Sequence, residues 1–324
     1  MVLAIAAATA IVLVVLWLPR YLVESRHLSL TAKDQFDAEA GIRSSLIQVV
    51  GGAVLVAGLY FTARGFRLTR EGHITDRYAK AIEHLGNANA DVRIGGLYAL
   101  ERLARDSQVD RETIVEVLAT FIREHTKTAP REPSIDKVDA DVQAALSVLA
   151  RRPNAEAETR GLDFYHSGLN CADFRSGDFC RAMFDYSRLD GASFSGAKLD
   201  RADLSFCTAA GAAFTKASAR GAHFVNARYT ESWFVAADLT NADFYGCDLN
   251  GSDFGRRYPE KGDPPMPPAV VTNARFTNAI LKGTILRGVD LRTVRGLTPA
   301  QLEEAITDKQ TLPPERWRTA ADED

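Results

Sequence analysis

The chain has 324 residues and a formal net charge of −3, the balance of 39 lysines and arginines against 42 aspartates and glutamates. Hydrophobic residues make up 46% and charged residues 25% of the chain, which excludes wholesale disorder. The near-zero net charge argues against a protein that coats nucleic acid, because such a protein would be basic. Four cysteines are too few for a disulfide scaffold, and the length predicts about two or three domains.

The chain begins with an uncharged apolar run, Met1–Leu18. Its length matches the lower limit for a membrane-spanning helix. A cleaved signal peptide is the alternative, but nothing basic precedes the run except the terminal amine. We therefore predict an uncleaved membrane anchor.

A second uncharged run extends from Ser44 to Ala63. Its length matches a hydrocarbon core of about 30 Å, and Tyr60 falls where an aromatic ring favours the membrane interface. A buried core helix is the alternative. We predict a transmembrane helical hairpin within residues 1–70, in a multi-pass protein of the inner (plasma) membrane. Basic residues are slightly more frequent just after the second run than between the two runs, which weakly favours a cytoplasmic C-terminal part.

Residues 71–155 show the apolar spacing of short amphipathic helices. In the segment after Asp110, for example, Ile114, Val117, Leu118 and Phe121 recur at helical spacing. Such helices must bury their apolar stripes against one another, which predicts a small all-α bundle. The stretch Asp91–Ala104 loosely resembles a HEAT-type helix.

In residues 160–296 a large apolar residue recurs at nearly every fifth position. From Phe164, 19 consecutive steps of five give 17 large apolar residues and two alanines. The residue two positions before each of these centres is small, except Leu162. A period of five fits neither the 3.6 residues of a helix nor the 2 of a strand, and instead indicates a solenoid. The centres are Phe164, Leu169, Phe174, Phe179, Phe184, Leu189, Phe194, Leu199, Leu204, Ala209, Phe214, Ala219, Phe224, Tyr229, Phe234, Leu239, Phe244, Leu249 and Phe254.

Segments such as Ala172-Asp173-Phe174 and Ala202-Asp203-Leu204 resemble the pentapeptide-repeat family, with its pattern A-(D/N)-L-x-x. The resemblance implies a right-handed quadrilateral β-helix with four pentapeptides per coil. The order of parts also resembles membrane-anchored pentapeptide-repeat proteins with two N-terminal transmembrane helices. The family predicts the fold better than the function, because one fold serves unrelated roles.

Four faces per coil imply that residues 20 apart stack. The pattern breaks in a Pro-rich loop, residues 257–268, and resumes with the centres Val271, Phe276, Leu281, Leu286 and Leu291. Continuing the face count places Phe276 under the ladder of Phe164, so we predict that the solenoid continues past the loop, with about six coils in all. The loop is either an exposed spacer or a docking segment for an aromatic-lined groove. Residues 297–324 are predicted to hold a short capping helix and a tail.

We find no sequence motif for catalysis. There is no phosphate-binding loop, no His-Glu-x-x-His and no Gly-x-Ser-x-Gly. The six histidines are not spaced as metal ligands. We therefore expect no enzyme activity, no cofactor and no metal, and we interpret the cysteines as free thiols.

One predicted face of the solenoid combines acids with outward aromatic rings. Its pentapeptides, centred on 164, 184, 204, 224 and 244, contain no Lys or Arg. Exposed aromatics among acids suit protein binding, although the rings would also be explained if they lay flat on their neighbours. The predicted partner face consists of Asp163, Tyr165, Asp185, Tyr186, Asp203, Phe206, Asp243 and Tyr245.

These observations predict a non-catalytic, membrane-anchored scaffold that binds an unidentified protein at the cytoplasmic face, with no nucleic-acid partner. The alternative is a topoisomerase-binding DNA mimic of the quinolone-protection type. Residues 161–255 hold 12 acidic and eight basic residues. A rod segment of about 24 Å would need roughly 14 uncompensated charges to imitate duplex DNA, so the charge density falls short.

Overall fold

The computed structural model describes residues 2–24, 32–127, 137–153, 160–257 and 265–317, and for 2–10, 12, 24, 32, 35 and 66–74 it describes the backbone only. The chain divides into two compact units, Met1–Thr75 and Asp76–Asp324. The helical bundle, the solenoid and the C-terminal cap all lie in the second unit.

The first unit contains α1 (Val2–Glu24) and most of α2 (Ala32–Leu85). Most side chains of the first predicted span, Met1–Leu18, and the connection 25–31 lie outside the described residues. Among the described residues, one segment, Phe36–Gly65, is long and apolar enough to cross a membrane. The boundary predicted between residues 70 and 71 falls inside α2, which continues to Leu85 although Gly65 and Gly72 lie on either side of that point.

In the second unit, α3 (Ala90–Asp106), α4 (Arg111–His125) and α5 (Ala140–Ala150) pack against one another. Their apolar stripes are buried, including Leu100, Ile122 and Leu146. The close approach of α3 to the end of α2 requires Gly96, since a Cβ there would come within 2.9 Å of the carbonyl oxygen of Ala81.

The solenoid after Arg160 is built from single parallel β-bridges and not from extended strands. Bridged residues are 20 positions apart, as in Asp163 with Met183 and Asp173 with Ser193. The centres of the pentapeptides and the small residues two positions earlier fill the interior. The predicted β-helix is therefore present, with four pentapeptides in each coil.

Aromatic ladders run through this interior. Phe174, Phe194 and Phe214 stack with ring centroids 4.4 and 4.9 Å apart, close to the spacing of neighbouring strands. On the opposite face, Phe244 stacks on Phe276 at 5.2 Å. The prediction that the ladder continues past the Pro-rich loop is confirmed.

The Pro-rich loop, residues 257–268, leaves the solenoid and re-enters it at the same corner. Across it the bridge partners are 32 positions apart, as in Asp243 with Arg275, which is one coil plus a 12-residue insertion. Arg257 and Met266 close its base through two backbone hydrogen bonds of 3.2 and 2.9 Å. Residues 258–264 lie outside the described part of the chain.

The helical bundle covers the first coil. The side-chain amide of Gln143, on α5, donates to the carbonyl oxygen of Asp173 and accepts from its N–H, both at 2.9 Å. The peptide carbonyl of Thr126 accepts from Gly168 at 2.8 Å, and Arg152 donates to the carbonyl oxygen of Asp178 at 2.6 Å. These contacts replace the bonds that a preceding coil would make, so the bundle protects an otherwise open sheet edge.

The opposite end is closed by α6 (Pro299–Glu303) and a 3₁₀ turn (Glu315–Trp317). Thr298 and Gln301 form a capping box at the start of α6. Gln301 also donates to the carbonyl oxygens of Phe276 and Ala279 at 3.0 and 2.7 Å. The short helix lies where the sequence predicts it, and residues 318–324 are outside the described chain.

Candidate functional site

Each pentapeptide turn fixes the direction of the side chains around its buried centre. An aspartate before the centre accepts the N–H of the residue after it, as in Asp163 with Tyr165 and Asp203 with Ser205, both at 3.0 Å. The second residue after the centre turns the corner with a positive φ, which is 61° at Tyr186 and 57° at Phe206. These local rules place three aromatic side chains on the outside of successive coils.

Tyr165, Tyr186 and Phe206 form what we call the aromatic strip. Tyr165 meets Tyr186 edge to face at 5.8 Å, and Tyr186 stacks on Phe206 at 4.8 Å with 9° between the ring planes. The three residues are 47%, 49% and 45% exposed. The rings do contact their neighbours, as the alternative interpretation held, but about half of their surface remains open.

The corner positions of Tyr186 and Phe206 normally suit glycine or asparagine. A bulky side chain in the left-handed region is uncommon and costs roughly 1–2 kcal/mol. The next residue in the same column, Asn226, is of the expected type and has a φ of 53°. The stacked rings thus occupy positions where backbone energetics alone would not select an aromatic residue.

Two of the predicted acids are neutralised by arginines from distant segments. Arg123 on α4 forms an ion pair with Asp163. Arg275, from the coil after the Pro-rich loop, lies 3.4 Å from Asp243, and its guanidinium lies over Tyr245 at 4.4 Å. The pentapeptides of this face contain no Lys or Arg, but folding brings arginines from other parts of the sequence to its first and last acids.

The other two acids of the predicted partner face are Asp185 and Asp203, which we call the acidic pair. The ion pairs of the described residues include neither of them, in contrast to Asp163 and Asp243. Partial burial, and next the charge of Asp203, raise the pKa of Asp185. The charge of Asp163 acts in the same direction. The middle of the face is therefore the part with uncompensated negative charge.

The structure thus brings six of the eight predicted residues together on three successive coils, and separates Asp243 and Tyr245 from them by the coil of His223. Sequence reasoning missed Met183, which is 42% exposed on the same face. It also missed a cleft of about 710 Å³ beside it, lined by Val115, Arg123 and Asp163 among others. The period of five does place Met183 outward, but only the packing of α4 on the first coil creates the cleft.

The described part of the chain shows no cluster of three or more residues that could hold a metal ion. The thiols of Cys180 and Cys207 are held protonated at neutral pH. Burial, and then Asp178, raise the pKa of Cys180 to about 11, and burial raises the pKa of Cys207 further.

The repeats match the family described as pentapeptide repeats, with eight copies, over residues 197–228, 230–256 and 269–294. The chain is a pentapeptide-repeat protein. Its solenoid is the right-handed β-helix of that family.

Solved structures of other pentapeptide-repeat proteins are similar to it. HetL, involved in heterocyst differentiation regulation in the cyanobacterium Nostoc, is 24% identical over 47% of this chain and 66% of HetL, with a TM-score of 0.33. A pentapeptide repeat protein from the thylakoid lumen of Arabidopsis thaliana is 27% identical over 34% of this chain and 65% of its own length, with a TM-score of 0.14. QnrB1, a plasmid-mediated fluoroquinolone resistance protein, is 18% identical over 44% of this chain and 82% of its own, with a TM-score of 0.15.

This pentapeptide-repeat protein thus spans slightly less than two thirds of the length of HetL and of the thylakoid protein. A comparison with curated proteins finds no match.

Proposed function

We propose that this pentapeptide-repeat protein is a non-catalytic scaffold, anchored in the inner (plasma) membrane by two spans, that binds a protein partner at the cytoplasmic face. The observation that carries the binding role is the aromatic strip. Three half-exposed rings on a regular rod form a preordered apolar surface, and such surfaces are typical of the centres of protein interfaces.

The membrane role is supported by the segment Phe36–Gly65. Its mean hydropathy is 1.9 and none of it is buried against the rest of the chain. Large apolar side chains along it, such as Val49, Leu55 and Phe61, are exposed. An apolar helix of about 20 residues or more without a protein cover is stable in hydrocarbon and not in water. With Met1–Leu18 as the other span, both ends of the hairpin lie on one side, and the basic residues after Ala63 favour the cytoplasm.

The binding role is tested with the intact protein in cells. We would place a photo-crosslinking amino acid at Tyr165 and compare captured partners with and without the double change Tyr186→Asn and Phe206→Asn. Asparagine fits these corners, as Asn226 shows, so the coil should fold. The matched control is Trp233→Ser, which removes a ring that is 46% exposed on another face.

We expect the double change to remove the cross-linked product and Trp233→Ser to leave it. If the product were unaffected by the double change, or equally reduced by the control, the aromatic strip would not be the binding surface. The membrane role has its own test, since recovery of the protein in the supernatant after carbonate washing would contradict anchoring.

The alternative, a DNA mimic that binds a topoisomerase, is less well supported by the charges. Six of the 12 acids in residues 161–255 lie in ion pairs, which lowers the free negative charge further. We expect the full chain not to inhibit gyrase supercoiling, and inhibition at sub-micromolar concentration would favour the mimic. The paired acids are Asp163, Asp173, Asp178, Asp238, Asp243 and Asp253.

A further inference from the structure

Two Asp–Phe–Tyr triplets on the partner face each form an ion pair with an arginine through their aspartate. They are Asp163-Phe164-Tyr165 and Asp243-Phe244-Tyr245. In both, the aspartate accepts the N–H of the tyrosine at 3.0 Å, and the phenylalanine is buried. The aspartate and the backbone around it therefore form the same local turn in the two triplets.

Each triplet receives an arginine from elsewhere in the chain. Arg275 places its guanidinium 4.4 Å from the centre of the Tyr245 ring and 3.4 Å from the Asp243 carboxylate. Arg123 pairs with Asp163. A guanidinium between a carboxylate and an aromatic ring combines ion pairing with a cation–π contact. The protein thus contains, on this face, an occupied example of the interaction.

The middle of the face has the same chemistry without an arginine. The acidic pair supplies carboxylates at Asp185 and Asp203, and the same two coils carry the stacked, half-exposed rings of Tyr186 and Phe206. The ion pairs within the described chain leave both carboxylates uncompensated, and their mutual repulsion contributes to the raised pKa of Asp185. A cation from outside would relieve that repulsion and cover the rings.

We propose that the acidic pair and the rings of Tyr186 and Phe206 bind an arginine side chain presented by the partner protein. The guanidinium contacts the exposed rings and donates to the two carboxylates, as Arg275 does at Tyr245 and Asp243 within the chain. This inference rests on the proposed function, because it names the chemistry by which the partner is recognised.

The test is a binding titration of the full chain in non-ionic detergent at low salt. The probe is a fluorescein-labelled peptide of four Arg-Gly repeats, followed by anisotropy. Matched peptides carry citrulline, which keeps the shape without the charge, or lysine, which keeps the charge without the planar fork. We expect the arginine peptide to bind most tightly and the citrulline peptide not to bind.

Variants locate the site. Tyr186→Asn with Phe206→Asn should weaken binding of the arginine peptide by about two- to fivefold, the size of one exposed cation–π contact. Asp185→Asn should weaken it by a similar factor. Asp248→Asn makes the same change of net charge on another face, where Asp248 accepts the N–H of Asn250, and should have no effect.

The occupied triplet provides a gain-of-function control. Removing the resident arginine by Arg275→Ala frees Asp243 and Tyr245, and we expect a second bound peptide. Equal binding of the citrulline peptide, an effect of Asp248→Asn as large as that of Asp185→Asn, or no binding of the arginine peptide would overturn the inference.

Failure of this inference and failure of the proposed function are distinguishable. If the arginine peptide does not bind but the double change at Tyr186 and Phe206 still removes the cross-linked partner, the strip binds a partner of other chemistry. If the cross-linked partner persists in the double variant, the proposed function itself fails, whatever the peptide does.

Discussion

The substitution Gln143→Ala should loosen the first coil of the solenoid and leave the last coil intact. The side chain of Gln143 makes two hydrogen bonds of 2.9 Å to the peptide group of Asp173. Each such bond contributes about 1 kcal/mol net, so their loss costs about 2 kcal/mol. Because each 1.4 kcal/mol is a tenfold change in an equilibrium constant, the opening equilibrium of the first coil should rise about 30-fold.

Hydrogen exchange of the full chain in detergent, followed by mass spectrometry, measures this directly. Each coil of a solenoid contacts only its neighbours, so the effect should be local. We expect faster exchange in residues 163–180, unchanged exchange near Phe276, and a melting temperature lower by at most about 4–8 °C. Gln143→Glu keeps the acceptor for the Asp173 N–H but turns a carboxylate oxygen toward the Asp173 carbonyl oxygen, so at neutral pH its effect should be at least as large as that of Gln143→Ala.

Gln301→Ala is the reciprocal control, because Gln301 caps the carbonyl oxygens of Phe276 and Ala279. It should accelerate exchange at the C-terminal end alone. Unchanged exchange of the first coil in Gln143→Ala, or equal acceleration at both ends, would refute the idea that α5 serves as a cap made of side-chain amides.

Three further outcomes are expected. Burial and neighbouring carboxylates raise the pKa of Asp185, so its ionisation destabilises the fold at neutral pH. Asp185→Asn should therefore raise the melting temperature at pH 7. The gain should be lost below about pH 4, because there the carboxyl of Asp185 is protonated in the unfolded state as well. A lower melting temperature of Asp185→Asn at pH 7 would contradict this. Phe214→Ala, in the middle of a buried ladder, should cost about 3–5 kcal/mol in chemical unfolding, and a loss below about 1 kcal/mol would mean that the ladder collapses around the cavity. Reporters fused at Met1 and after Asp324 should report the same side of the membrane, and opposite sides would exclude two spans.

Much of the solenoid was predictable because its pattern is local. The five-residue turn decides which side chains point inward, and the four-sided coil then stacks like residues, so Phe276 could be placed under Phe244 despite the intervening loop. The outward direction of Tyr186 and Phe206 follows from the same rule. The continuity of α2 did not follow, because the apolar run and the amphipathic stretch after it have different compositions although one backbone helix carries both.

The sequence by itself thus determined the repeat, its interior and the direction of the aromatic strip. Only the tertiary structure decided which charges on that face remain free. Arg123 reaches Asp163 from 40 positions away and Arg275 reaches Asp243 from 32 positions away, and Gln143 caps Asp173 from 30 positions away. Periodicity reports the direction of each side chain relative to its own backbone. Ion pairs and caps depend instead on which distant segment packs alongside, and no local pattern encodes that.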